Sequence, residues 1–132
     1  MKLINIQKVK KPLEIHKDKR GFISDIFYKD KIQHVAFIKT NRNKIRGNHY
    51  HKKTIQIMFI TKGKLEYWYK NIKSKKSKKI LLKEGDIIET PPFEIHALRT
   101  KNYTNEFVVF SKGSRGGKDY EKDTYRVDNI IE

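Results

Sequence analysis

The sequence predicts one all-β domain, built as a sandwich or a barrel. Three observations carry that expectation. Apolar runs recur at about 8–12-residue spacing between Gly, Asn and Asp turns. Those runs are too short and too β-branched for helices. No repeat or internal linker divides the 132 residues, so a single domain spanning 1–132 has room for one core.

In order along the chain, Lys8 to His16 is the first strand candidate, with Val9, Leu13 and Ile15 as its apolar positions and Pro12 assigning it to a sheet edge. Asp18-Lys19-Arg20-Gly21 turns into Phe22 to Tyr28, and Ile32 to Thr40 is the next run. Asn41 to Lys44 makes a polar connection to Arg46-Gly47. Thr54 to Thr61 is the most apolar strand of all, and Lys62-Gly63-Lys64 turns it into Leu65 to Tyr69. There Tyr67 and Tyr69 share one face and Trp68 takes the other, because strand side chains alternate. Lys79 to Lys83, Ile87 to Thr90, Ile95 to Arg99 and Asn105 to Phe110 complete the set. The tail, Tyr120 to Glu132, reads equally as helical or extended.

Thirty-one basic residues against 15 acidic ones give a formal charge of +16. Such an excess suits an anionic partner: nucleic acid, a membrane surface or a phosphorylated small molecule. Its distribution argues against a dedicated nucleic-acid site, since lysines are scattered through every segment. The dense cluster Lys73 to Lys79 falls between two strands and reads as a solvated hairpin tip. Without cysteine there are no disulfides and no thiolate metal sites. No apolar run approaches the ~20 residues of a membrane span, and Met1 to Ile6 lacks the apolar core of a signal peptide. The expectation is a cytoplasmic protein with no membrane insertion. The Gly-rich segment Gly113 to Lys118 lacks the ending of a phosphate-binding P-loop and reads as a surface loop, although its Arg115 is placed to reach a neighbouring subunit's ligand.

The candidate site is the stretch Arg46-Gly47-Asn48-His49-Tyr50-His51-Lys52-Lys53-Thr54-Ile55-Gln56. On a strand, His49 and His51 present their imidazoles on one face. Gln56 joins that face only through a bend or bulge near Lys52 to Thr54. Pro91-Pro92-Phe93-Glu94-Ile95-His96 offers a third histidine at the start of another strand. Three histidines and an amide converging in a barrel make either an acid/base site or a metal site. His16 and His34 lie outside both stretches and read as surface or core residues.

Gly47-x-His49-x-His51, followed by Gln56 and Gly63, resembles the first motif of the cupin superfamily, in which the position of Gln56 is usually Glu. Gly85, Pro91 and His96 resemble the second motif, with Phe93 where glycine is common. The resemblance covers roughly residues 45 to 100. It implies a cupin-type double-stranded β-helix, or jelly roll, with N-terminal strands placed to swap in a homodimer. A narrower resemblance joins Arg46-Gly47-x-His49-x-His51-Lys52-Lys53-x-x-Gln56 to the nucleotide-sugar 3,4-ketoisomerases. Arg46-Gly47-x-His49-Tyr50 and the turn Asp18-x-Arg20-Gly21-Phe22 resemble the deoxysugar 3,5-epimerases. Arg46-Gly47-Asn48-His49 is similar to the zinc-bearing cupin domain of some bifunctional capsule-sugar enzymes. These relatives imply a nucleotide-linked sugar as partner and a role in surface polysaccharide biosynthesis. Two departures stand out: Val35 to Ile38 lacks the ketoisomerases' tyrosines, and Asn105 to Phe110 lacks the epimerases' late tyrosine.

Both reactions remove a proton beside the ketone of a nucleotide-linked 4-keto-6-deoxyhexose. A neutral imidazole, with an ordinary pKa of about 6.5, suits that task. By resemblance His49 is the base and His51 shuttles the proton or orients the base. Arg46 meets the pyrophosphate, and Gln56, Tyr67, Tyr69 and His96 complete the substrate site. This reading requires no cofactor. The alternative uses His49, His51, Gln56 and His96 as ligands of zinc or another divalent transition metal, in a cupin with another small-molecule reaction or a noncatalytic sugar- or anion-binding role. Gln56, shared with the ketoisomerase signature and a weaker ligand than Glu, tilts the balance toward the metal-free site.

Overall fold

The structure is a computed structural model that describes residues 8–113 and 122–132. The expectations for Met1 to Ile6, for most of the Gly113–Lys118 loop with its Arg115, and for Tyr120 lie outside those residues. The elements are β1 (Val9–Lys10), β2 (Glu14–Asp18), β3 (Gly21–Asp25), β4 (His34–Thr40), β5 (Ile45–Tyr50) and β6 (Ile55–Gly63). They continue with β7 (Leu65–Asn71), β8 (Lys78–Leu82), β9 (Ile87–Thr90), β10 (Glu94–Arg99), β11 (Asn105–Lys112) and β12 (Tyr125–Arg126). Two five-stranded sheets, ordered β1-β9-β6-β11-β4 and β12-β5-β10-β7-β8, face each other as a jelly roll, with β2-β3 as a separate hairpin.

The core lies between the two sheets. Met58, Ile60, Leu65, Tyr67, Ile80, Leu82, Ile88, Leu98, Phe107 and Val109 form one buried cluster. They occupy alternate positions of their strands, which turns one face of each sheet inward. Trp68, between Tyr67 and Tyr69, points the other way and is covered with Ile95, Ala97 and Ile130 on the outside of the second sheet. The described part of the tail, 122–132, holds the short strand β12 and no helix, and its Val127, Ile130 and Ile131 strap that outer face.

Two strand boundaries differ from expectation for clear reasons. Lys8 to His16 is split into β1 and β2 around Pro12, which has no N–H to offer a ladder. The Phe22 run ends as a strand at Asp25, and its hairpin leaves Leu13, Ile15, Phe22, Ile23 and Tyr28 exposed. His16 lies on that exposed hairpin and His34 begins β4, half-buried. The lysine segment Lys73 to Lys76 is an exposed tip, as the sequence implies.

Candidate active site

The site is assembled by an irregularity in β5. Pairing with β10 runs His49↔His96 and then Gly47↔Ala97, so Asn48 is an extra residue with no counterpart opposite. Gly47 and Asn48 both have positive φ, 93° and 57°. A Cβ on Gly47 would sit 2.8 Å from the carbonyl oxygen of His96, so glycine alone permits this approach. The bulge has a consequence for chemistry: Arg46 and His49, three residues apart, share the inner face. Beyond Tyr50 the chain leaves the strand and crosses to the opposite sheet, beginning β6 at Ile55. That crossing, at the place where the sequence requires a bend, brings Gln56 to within 3.1 Å of His51, amide oxygen to Nε2.

His49, His51 and His96 converge. One ring nitrogen from each lies within 4.8 Å of the others, and the ring centroids are 4.6 to 5.4 Å apart. His51 and His96 are buried. Their orientation is set by backbone oxygens, which only accept. The Nδ1–H of His51 donates to the Asp123 carbonyl at 2.6 Å, and that of His96 faces the Glu94 carbonyl at 3.2 Å. Both rings thereby keep Nε2 as the second polar atom, the arrangement that suits either a proton acceptor or a metal ligand. A neutral His51 pairs with Gln56 by accepting from its amide nitrogen after a 180° turn of the amide; an imidazolium donates to the oxygen instead.

Asp123 is the residue that sequence reasoning missed. Its carboxylate accepts hydrogen bonds from the backbone N–H groups of Lys52, Lys53 and Thr54 and from the Thr54 hydroxyl, all at 2.8 to 2.9 Å. Partial burial works to raise its pKa, and these donors more than offset it, bringing the carboxyl down to about 2. It is an anion throughout the neutral range. The crossing between the two sheets is thus tied to the tail, and the tail's carbonyl to His51. No local signal marks Asp123, since its partners lie some 70 positions away.

A cavity of about 380 Å³ opens beside the histidines, lined by Arg46, His49, Gln56, His96, Thr124 and Arg126 above an apolar floor that includes Met58, Leu98 and Phe107. Among the described residues, two arginines and no carboxylate line it. Arg46 is braced: its Nε–H donates to Thr40 Oγ1 and an Nη2–H to the Lys39 carbonyl, both at 2.9 Å. Tyr67 and Tyr69 are not among the lining residues. Tyr67 is fully buried and stacks parallel to His96 at 6.3 Å. Its hydroxyl donates to Glu94 at 2.7 Å and lies 2.6 Å from the Thr90 hydroxyl, while Lys8 pairs with Glu94 at 2.6 Å. Burial and the Glu94 charge push the Tyr67 phenol well above its ordinary pKa. It acts as a neutral donor.

The donor set fits a divalent transition ion. His49, His51 and His96 would hold it through imidazole nitrogens, with Gln56 contributing an amide oxygen.

Fold and site together define a cupin-type jelly roll with a polyhistidine centre in its mouth. The family model for the polysaccharide biosynthesis C-terminal domain matches residues 16–125, and the chain belongs to that family. Among solved structures it is similar to QdtA, a sugar 3,4-ketoisomerase from Thermoanaerobacterium thermosaccharolyticum in complex with TDP, with a TM-score of 0.73, 20% identity, and coverage of 92% of this chain and 89% of that one. It is similar to the 3,5-epimerase RmlC from Legionella pneumophila in complex with dTDP-4-keto-L-rhamnose, with a TM-score of 0.70, 14% identity, and coverage of 90% and 71%. The capsular polysaccharide assembling protein CapF from Staphylococcus aureus gives a TM-score of 0.66 at 16% identity, over 91% of this chain; the chain spans only 34% of CapF. At these identities the likeness shows the fold. No curated protein matches the sequence.

Proposed function

We propose that this protein acts on a nucleotide-linked sugar in polysaccharide biosynthesis, transferring a proton beside the sugar's ketone. One observation carries the reading: three histidines converge, and two of them, His49 and His96, line a cavity whose described lining holds two arginines and no carboxylate. His49 takes the proton from the carbon next to the ketone, leaving an enediolate that cationic and N–H donors stabilise. Return of the proton to the neighbouring carbon, with the hydroxyl proton passing between the two oxygens, moves the ketone. Return to the opposite face of the same carbon inverts that centre. His51, fixed by the Asp123 carbonyl and in contact with Gln56, relays the proton. The solved likenesses to a ketoisomerase and an epimerase support this class, and family membership supports the pathway.

The test is solvent deuterium exchange at C3 of a nucleotide-linked 4-keto-6-deoxyhexose, followed by mass spectrometry. Incorporation by the native protein and its loss in His49→Ala is the expected outcome. No incorporation with any thymidine- or uridine-linked 4-keto sugar would sink the proposal.

A second reading rests on the same convergence, because two of the three imidazoles have Nδ1 facing a backbone carbonyl, as metal ligands do. In it, zinc or another divalent ion, held by His49, His51, Gln56 and His96, supplies Lewis-acid polarisation of a bound oxygen. Elemental analysis of protein purified without added metal or chelator separates the two. About one transition metal per chain, lost in His51→Ala, supports the metal centre; a folded, metal-free protein supports His49 as an unassisted base.

The proposal extends to a cytoplasmic homodimer. The apolar residues exposed on β2, β3 and β4, among them Phe22, Ile23, Val35 and Phe37, support pairing of N-terminal strands between two copies. The lack of cysteine fits a reducing compartment. No helix among the described residues is long and apolar enough to cross a membrane. A monomer mass by native mass spectrometry would refute the dimer.

A further inference from the structure

We propose that Arg126, delivered by the C-terminal strap, binds the diphosphate of the substrate and completes a two-arginine clamp with Arg46. This assignment rests on the nucleotide-sugar reading and adds a residue to it. In the pairing of β12 with β5, Arg126 stands opposite His49, so the two side chains leave the sheet on the same face. Arg126 and Thr124 both line the histidine cavity. Arg46 lies further along β5 on the same inner face, braced across to β4 by Thr40 and the Lys39 carbonyl. Among the described lining residues, the two guanidinium groups are the formal charges. A diphosphate, with two adjacent anionic centres, matches two arginines better than it matches one, since each fork accommodates its own pair of phosphate oxygens.

The strap is held on both sides of Arg126, which limits the ordering that binding must impose. Upstream, Asp123 accepts four hydrogen bonds from residues 52–54. Downstream, the N–H of Val127 donates to the Asn48 carbonyl and that of Ile130 to the Asn48 side chain, and Ile130 is buried against Trp68. The bulged residue that shapes the histidine face is therefore the one that seats the strap.

Titration calorimetry of the full chain with thymidine diphosphate, uridine diphosphate and inorganic pyrophosphate tests the assignment. Arg126→Gln is expected to weaken binding of the best probe by roughly 10- to 100-fold, the range for loss of charge-assisted hydrogen bonds, with an unchanged melting temperature. Arg126→Lys, which keeps the charge but not the fork, is expected to fall between the two. If native protein binds and Arg126→Gln binds equally well, the assignment fails while the nucleotide-sugar reading stands. If native protein binds none of the probes, that reading fails and takes the assignment with it. If Arg126→Gln and Arg126→Lys weaken binding equally and both lower the melting temperature, the residue seats the strap and does not touch the ligand.

Discussion

Removing the Asp123 carboxylate should loosen the site and the fold together, and by a calculable amount. The carboxylate takes four hydrogen bonds, three from backbone N–H groups and one from the Thr54 hydroxyl. Lys52 and Lys53 are exposed, so water can replace the lost oxygen at their amides. Thr54 is 1% exposed and has no such recourse; each of its two donors left unsatisfied costs about 1–3 kcal/mol. Asp123→Ala should therefore destabilise by about 3 kcal/mol. Asp123→Asn should cost about half as much, because one oxygen survives to serve Thr54. The pH dependence has a definite sign. A carboxyl lowered from 3.8 to about 2 on folding stabilises the folded state above pH ~4 and loses that contribution as pH falls through 2. At about 1.4 kcal/mol per tenfold change in proton affinity, the ceiling is about 2.5 kcal/mol. Asp123 is only partly buried, and solvent screening reduces this to about 1 kcal/mol. Urea unfolding from pH 2 to 7 measures both effects, and ¹⁵N shifts of the His51 ring report whether Nδ1 keeps its proton when the carbonyl moves. Unfolding of Asp123→Ala within about 0.5 kcal/mol of the native protein, with an unshifted acid limb, would refute the reasoning.

Three further outcomes are expected. Gly47→Ala forces a Cβ to within 2.8 Å of the His96 carbonyl at a φ of +93°, and should cost more than about 2 kcal/mol by thermal or urea unfolding; a neutral substitution would mean the bulge can relax. Tyr67→Phe strands the buried Thr90 hydroxyl and removes a donor from Glu94, at about 1–2 kcal/mol. Adding Thr90→Val should recover part of that loss, and strict additivity in the double-mutant cycle would deny the contact. Phe93→Gly relieves a φ of +65° worth about 1–2 kcal/mol and forfeits the stacking on Tyr50, so its stability should stay within about 1 kcal/mol of native. A loss above about 3 kcal/mol would instead mark Phe93 as a packing residue.

The strands were legible in the sequence because their signal is local. Alternation in Ile57 to Ile60, Leu65 to Tyr69 and Asn105 to Phe110 records which side chains meet between the sheets. The same signal misleads on the hairpin: Phe22 and Ile23 carry the hydrophobicity of core residues yet are about two-thirds exposed. Hydrophobicity states what should be covered, not by which chain. The histidines were legible for a similar reason, since His49 and His51 share a face by spacing. Asp123 and Arg126 belong to a tail without periodicity, and they enter the site through pairings with residues 49 to 54, far away along the chain. No window short enough to read a strand contains such a contact.

His51 shows why that distant contact matters to the chemistry. Three segments meet on it. Its carbonyl accepts from the N–H of Phe93 at 2.7 Å, which joins the first histidine stretch to the second. Its Nδ1 is held by Asp123, and its Nε2 meets Gln56 on the opposite sheet. The Phe93 N–H is aimed at His51 by a left-handed backbone that a phenylalanine adopts at a cost, and such strain persists only where the surroundings enforce it. Here the enforcement is visible: the His51 hydrogen bond on one side and the stacked Tyr50 and Tyr125 rings on the other. An imidazole held at both ring nitrogens, on a backbone pinned by Phe93, loses little freedom when a proton or a metal reaches it, and that preorganisation is worth more to catalysis or coordination than any one of the bonds. The cupin motifs place the histidines on the right strands. The tail makes them hold still.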